Sequence, residues 1–357
     1  MSGVGIAGFF SSKTSGGKKT VRRLFLAAAV IAVAPQASLA DEGGVSFWLP
    51  GLFGSLAAVP GQPGFSFSTF DYNTNVSASG NVARAREIEI GAISPTVQAT
   101  VSAKLDADVN FVWLNPTYVF ATPVLGGQAS VSMGALYGRS DATLDGTLTI
   151  TSPISATTPV NISSSVTGFG DLYPTAQLKW NDGVNNYMVY GTGDIPVGAY
   201  ERRRLANLGI GHGAADLGAG YTYLDQKTGH EFSITGGFTY NLENPSTNYQ
   251  NGVDLHIDWA ASQYLSQQFS AGVVGYLYNE IGCDGGSGDR VGCFQSRVVG
   301  IGPQASYLFP VGDMQGYLNL KAYFEFDAQD RPDGWNIWAT FAISPAAPTA
   351  KAPPSYK

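Results

Sequence analysis

The chain has 357 residues, of which only 13% are Asp, Glu, Lys or Arg, while 44% are hydrophobic, 12% are aromatic and 45 are glycine. A soluble enzyme of this length carries about twice that charged fraction, and a net charge of −7 with no basic stripe argues against a nucleic-acid partner. Beyond residue 41 no apolar run approaches the roughly 20 residues that a membrane-spanning helix needs, so a chain that crosses lipid with this sequence must close its strands into a barrel.

Lys18, Lys19, Arg22 and Arg23 form a positive region ahead of the short apolar core Leu24 to Ala34, and Ser38-Leu39-Ala40 fits a small-residue cleavage site. Residues 1–40 thus read as an export signal cleaved after Ala40, with an uncleaved anchor as the alternative. Residues 41–64 are apolar and broken by glycine and proline, holding at most a short helix at Leu52 to Ala58. Such a segment does not stay exposed comfortably. It is expected in or under the lumen as a hatch carrying Phe47, Trp48, Leu49, Pro50, Leu52 and Phe53.

From Phe65 the chain alternates between apolar and polar residues in short stretches separated by Gly- or Asn/Asp-rich breaks, the pattern of strands with two different faces. In 253–259 Val, Leu, Ile and Trp oppose Asp254, His256 and Asp258; in 318–327 the apolar face opposes Asn319, Lys321, Tyr323, Glu325 and Asp327. Residues 230–241 alternate likewise. From Val97 to Trp113 parity holds over 17 positions, too long for one span at about 3.3 Å per residue, so a tight turn is expected near Leu105 to Asp108. Strands are expected near 65–73, 80–93, 97–106, 108–121, 128–150, 170–180, 186–194, 212–225, 230–241, 252–263, 268–279, 295–309, 315–328 and 334–343. That makes an all-β, transmembrane antiparallel barrel over 65–344, with 14 strands preferred and 12 if an early hairpin lies outside the wall. Short breaks at 122–127, 181–185, 226–229, 264–267 and 310–314 fall on one side and longer ones at 151–169, 195–211, 242–251 and 280–294 on the other, as in outer-membrane barrels with short periplasmic turns and long external loops. Residues 345–357 read as a disordered Ala/Pro-rich tail.

Asp254, His256, Asp258, Lys321, Tyr323, Glu325 and Asp327 are the candidate pore-lining residues, with ordinary lumen lining as the plainer reading. Cys283 and Cys293 suit a disulfide in an exported protein; Asp284 and Asp289 between them are few oxygens for calcium, and no metal or cofactor is expected. Arg202 to Arg204 could contact lipopolysaccharide phosphates or form a solvated charge run. Trp113, Trp259, Trp335 and Trp338 are read as outward girdle residues. No catalytic residue is assigned, because His212, His230 and His256 sit in no nucleophile motif.

The chain also resembles the outer-membrane proteins named for the meta-pathway of phenol degradation. The resemblance lies in residues 46–51 (SFWLPG), 168–171 (GFGD) with Pro174, 196–200 (PVGAY), 207–209 (NLG), 241–244 (NLEN) with 247–249 and Gly252, 300–303 (GIGP) and 331–334 (RPDG). It implies a porin-like barrel for uptake of aromatic or other hydrophobic compounds by passive, selective diffusion across the bacterial outer membrane. The expected partners are outer-membrane lipid and lipopolysaccharide, a small hydrophobic solute, and the barrel-assembly machinery during biogenesis. A non-transporting structural or adhesion barrel is the alternative, and a barrel lipase or esterase a third.

Overall fold

The computed structural model describes residues 46–79, 99–150, 156–289, 292–293 and 295–347. The export signal, the expected strand at 80–93 and the end of the tail lie outside the described residues. Among the described residues twelve antiparallel strands run in chain order around a closed barrel. They are β1 (Gly64–Ser79), β2 (Ala99–Val119), β3 (Gln128–Ile150), β4 (Ala156–Asp182), β5 (Asn185–Gly193), β6 (Ala214–Asp225), β7 (His230–Asn241), β8 (Asp254–Tyr264), β9 (Phe269–Glu280), β10 (Arg297–Val311), β11 (Met314–Gln329) and β12 (Asp333–Pro345). β1 closes the ring on β12, with Phe67 opposite Ile343 and Ser77 opposite Asp333.

The preferred count of 14 is therefore corrected to twelve. The expected turn near Leu105 to Asp108 does not exist: 99–119 is one strand of 21 residues, paired without a break to β1. The expected loop at 151–169 is also mostly strand, since β4 begins at Ala156 and runs for 27 residues. A tilted strand needs only about 9–11 residues to cross lipid, and β5 (9 residues), β6 (12) and β8 (11) keep to that length. β2, β3 and β4 overshoot it at the long-loop end, where they build a tall one-sided wall.

Side-chain parity separates inside from outside. In β11 Leu318, Leu320, Phe324 and Phe326 point outward and are 45–65% exposed, while Asn319, Lys321 and Tyr323 are buried inside. Large exposed apolar side chains also face outward from β2, β3, β5, β6 and β7, forming the apolar belt of a barrel in lipid. In β2 the outward face changes character along the strand. Val112, Leu114 and Tyr118 are apolar, but Lys104, Asp108 and Asn110 nearer the long-loop end are polar and exposed. That switch marks where the wall leaves lipid. Inside the tall part, Ala103, Leu105, Ala142 and Leu144 pack on Leu205 and Ala206 from the connection between β5 and β6.

Two girdle expectations are overturned. Trp335 faces outward, and so does Trp259, lying against Gly275 of the neighbouring strand. Trp338 stands three residues from Trp335, an odd step that puts it on the opposite face, where it is 1% exposed. Trp113 also faces in, its indole filling the space where a side chain at position 134 of β3 would stand.

Candidate functional site: an aromatic cavity in the barrel

The segment 46–63 is built from turns, with no helix in the stretch Leu52 to Ala58 that could hold at most a short one. Leu49-Pro50-Gly51-Leu52 closes with Leu52 N donating to Leu49 O at 3.0 Å; Pro50 and Gly51 occupy the positions that a type II turn assigns to them, and Gly51 takes φ +89°. The turn exposes its own backbone to charged side chains of the wall. Asp258 of β8 accepts Gly51 N at 2.8 Å and Phe53 N at 3.1 Å. The Lys321 ammonium of β11 donates to the Gly51 carbonyl. Further along, Glu231 of β7 accepts Leu56 N at 3.1 Å and the Ser55 hydroxyl at 2.9 Å, and Thr222 of β6 accepts Ala58 N at 3.1 Å. A strand interior leaves these side chains no lipid or bulk water to meet, so backbone N–H groups of the segment satisfy them.

Above this turn, the Trp48 indole stacks on the His256 ring with centroids 3.6 Å apart and planes 13° off parallel. His256 Nε2 lies 2.8 Å from Asp216 Oδ2 and 3.4 Å from the Tyr190 hydroxyl. Tyr190, Gly218, Gly237 and His256 are cross-strand partners on β5, β6, β7 and β8. The two glycines leave the room in which the tyrosine reaches across two strands to the histidine.

Most hydrogen bonds of the segment go to β6, β7, β8, β10 and β11, with one from Lys179 of β4 to Val59 O at 3.5 Å. Toward β1–β5 a cavity of about 300 Å³ remains. Phe70, Phe111, Trp113, Tyr173 and Trp338 line it from the wall, and Phe47, Trp48 and Phe53 from the segment. Rings touch in a continuous chain: Trp338 to Phe70 at 4.8 Å, Phe70 stacked on Trp113 at 5.6 Å, and Trp113 to Tyr173 at 4.7 Å. Toward the short-turn end the lining changes to Ser68, Asn115, Ser132, Thr175 and Gln177. Leu208 and Ile210 contribute from the β5–β6 connection. Among the described residues that line it, only Lys321 is charged.

The candidate residues divide between these places. Asp258, Lys321 and Tyr323 meet around the Gly51 turn, and Tyr323 packs on Tyr276 at 4.7 Å. Asp254 faces inward on the same side as His256 but receives Asn241 Nδ2 at 3.0 Å. Glu325 accepts the Tyr276 hydroxyl at 2.6 Å and Gly334 N at 3.0 Å. Asp327 stands apart: with φ +54° it leaves the alternation and pairs with Arg297 at 3.0 Å on an exposed rim. Asp216, Tyr190, Phe70, Phe111 and Glu231 were not singled out as site residues. Parity alone could have placed Asp216 inside, two positions before Gly218, but its partner on β8 is 40 residues away in sequence.

Outside the wall Cys283 and Cys293 are joined by a disulfide, and Asp284 and Asp289 accept Gly252 N and Gly292 N. Arg202 donates to Ser246 O at 3.1 Å, while Arg204 is turned back onto Ala199 O, Ala206 O and Asn207.

The family model described as "Putative MetA-pathway of phenol degradation" matches residues 91–341. The chain belongs to that family. Three stretches that carried the resemblance to this phenol-degradation family meet at one carboxylate: Asp171 of 168–171 accepts Gly198 N at 2.7 Å from 196–200 and Ile210 N at 2.8 Å, just after 207–209. No curated protein matches the chain. Among solved structures, the COG4313 outer membrane channel from Pseudomonas putida F1 is 14% identical, with a TM-score of 0.57, covering 79% of this chain and 96% of its own; the two share a fold. The transport unit of the autotransporter AIDA-I from Escherichia coli (9% identity, 80% and 91% covered) and a Pseudomonas aeruginosa FadL homologue (9%, 86% and 97%) both overlay with a TM-score of 0.38.

Proposed function

We propose that this member of the phenol-degradation family is a passive, selective channel of the bacterial outer membrane for small hydrophobic or aromatic compounds. The observation that carries the reading is the aromatic cavity inside a barrel whose outer surface is an apolar belt. An open aqueous pore has no use for ring-lined walls, whereas pockets of about 300–1,000 Å³ with apolar walls and few polar groups are what small ligands occupy. The segment 46–63 acts in this reading as a hatch bound to one side of the lumen, leaving passage along β1–β5 from the aromatic rings to the Ser/Thr/Asn/Gln lining at the periplasmic end. The pore-lining role of Asp254, His256, Asp258, Lys321, Tyr323 and Glu325 belongs to the same proposal, as do contact of Arg202 with lipopolysaccharide phosphates, delivery by the barrel-assembly machinery and cleavage after Ala40. N-terminal sequencing of the exported protein checks the last.

Reconstituted into liposomes, the barrel is expected to speed entry of radiolabelled benzoate, relative to protein-free liposomes, more than it speeds entry of glucose. Deleting residues 43–64 is expected to raise single-channel conductance, and unchanged conductance removes the hatch. The tall wall built by β2, β3 and β4 favours the second reading, an adhesion barrel; liposomes that neither solute enters faster than without protein would support it instead. Hydrolysis of a short-chain ester by the solubilised protein would move the reading to a barrel esterase.

A further inference from the structure

We propose that Lys321 is an anion subsite beside the aromatic cavity, so that the solute this barrel takes is a small aromatic bearing an anionic oxygen, as in an aromatic carboxylate, and not a plain hydrocarbon. The inference rests on the uptake reading above and names the substrate class within it. Lys321 is 6% exposed and is, among the described residues, the only charged side chain lining the cavity. An ammonium has three N–H donors. The Gly51 carbonyl takes one of them, and no other hydrogen-bond acceptor is within reach among the described residues. Its contacts are otherwise with ring faces, Trp338 at 4.4 Å and Tyr323 at 5.8 Å from their centroids. Among the described residues no carboxylate stands within 4.0 Å of it; the carboxylate of Asp258 attracts it from beyond contact and accepts Gly51 N and Phe53 N. A cation removed from water without a contact partner is costly, and an incoming carboxylate supplies the missing partner with charge-assisted hydrogen bonds.

The ring of such a solute has a place to go. Lys321 is the cross-strand partner of Trp338, and Trp338 begins the run of rings through Phe70 to Trp113. A carboxylate at the ammonium therefore leaves its ring against those three side chains. A cavity of about 150 Å³ holds benzene, so 300 Å³ holds one substituted ring.

The test is quenching of tryptophan fluorescence in the full-length, detergent-solubilised barrel, titrated with benzoate, methyl benzoate and toluene. Methyl benzoate keeps the ring and the carbonyl but removes the charge. Wild type is expected to bind benzoate at least ten-fold more tightly than its ester. Lys321→Met should erase that ratio, and Lys321→Arg should keep most of it. Equal binding of acid and ester by wild type, or an unchanged ratio in Lys321→Met, overturns the subsite. Should Lys321→Met not fold, Lys321→Gln and the wild-type ratio decide. Binding of toluene and ester without preference for the acid leaves the uptake reading standing and removes this inference; binding of none of the three removes both.

Discussion

At the level of single residues, the height of the barrel that holds Tyr190, Gly218, Gly237 and His256 is set by two missing side chains. A Cβ on Gly237 would stand 2.4 Å from the Tyr190 hydroxyl and 2.8 Å from His256 Nε2, closer than any atom tolerates. Tyr190 or His256 must then move, and the Trp48 indole stacked on the histidine moves with it. Overpacking of this kind costs about 1–3 kcal/mol. Gly237→Ala is therefore expected to lower the urea midpoint of the folded barrel, with a larger loss of Trp48 burial than of strand content; circular dichroism and acrylamide quenching read the two separately. An unchanged midpoint would mean that the row is looser than its distances. The same scale separates what sequence discloses from what it hides. Asp258 and Lys321 are legible as inward charges because they alternate with lipid-facing Ile257 and Leu320. What they hold, the backbone of the Gly51 turn, is not legible, since 207 and 270 residues separate the partners.

Among elements, the connection 194–213 illustrates both a correct pattern and a misread one. It is the long connection that the break at 195–211 predicts, whereas β2, expected to turn near Leu105 to Asp108 because its alternation is too long for one span of lipid, continues as one strand. In the upper half of β2 water lies outside and the apolar loop residues Leu205 and Ala206 lie inside, so the alternation persists with its meaning reversed. The loop is fastened where Asp171 takes Gly198 N and Ile210 N. Next to that fastening, Asp194 is buried beyond the end of β5, and burial together with the neighbouring Asp171 carboxylate pushes it up to about 8. An acid raised in the folded state holds its proton more tightly there than in the unfolded chain. Its stability contribution is complete below the ordinary carboxylate range and is lost progressively as pH climbs to about 8. Trypsin cleavage after the exposed Arg202 and Arg203 should accordingly accelerate between pH 6 and pH 9 relative to Asp194→Asn, which carries no such titration. Parallel pH profiles in the two proteins would exclude Asp194 as the cause. The neighbouring loop is held differently, by the disulfide Cys283–Cys293 and by paired backbone hydrogen bonds between Gln250 and Gly285 at 2.9 and 2.8 Å. Replacing both cysteines with serine releases a constraint of about 2–3 kcal/mol. Faster proteolysis within 281–296 with the barrel still folded is expected, and loss of the barrel itself would assign the disulfide a wider role.

For the whole molecule, the division of β2, β3 and β4 into a lipid-spanning half and a taller outer half has a consequence for assembly. The lower pairs, from Gln128 opposite Lys179 up to Ala135 opposite Leu172, come before the register shift between Ala135 and Tyr137; the upper pairs, to Ile150 opposite Ala156, follow it. Each half keeps its own register, and the two bury different things: rings of the cavity below, Leu205 and Ala206 above. A barrel closes through hydrogen bonds between neighbours in lipid, so the outer half is dispensable for closure. Removing residues 143–163 and joining Ala142 to Ser164, which are already cross-strand partners, through Asn-Gly in a two-residue hairpin turn is expected to give a protein that still inserts. It should show the heat-dependent shift in gel mobility of a folded barrel. The loop 194–213, deprived of Leu144 beneath Leu205, should be cleaved more readily at Arg203. Failure to insert would show that strand pairing outside the membrane nucleates the wall inside it, and that the two halves are one cooperative unit.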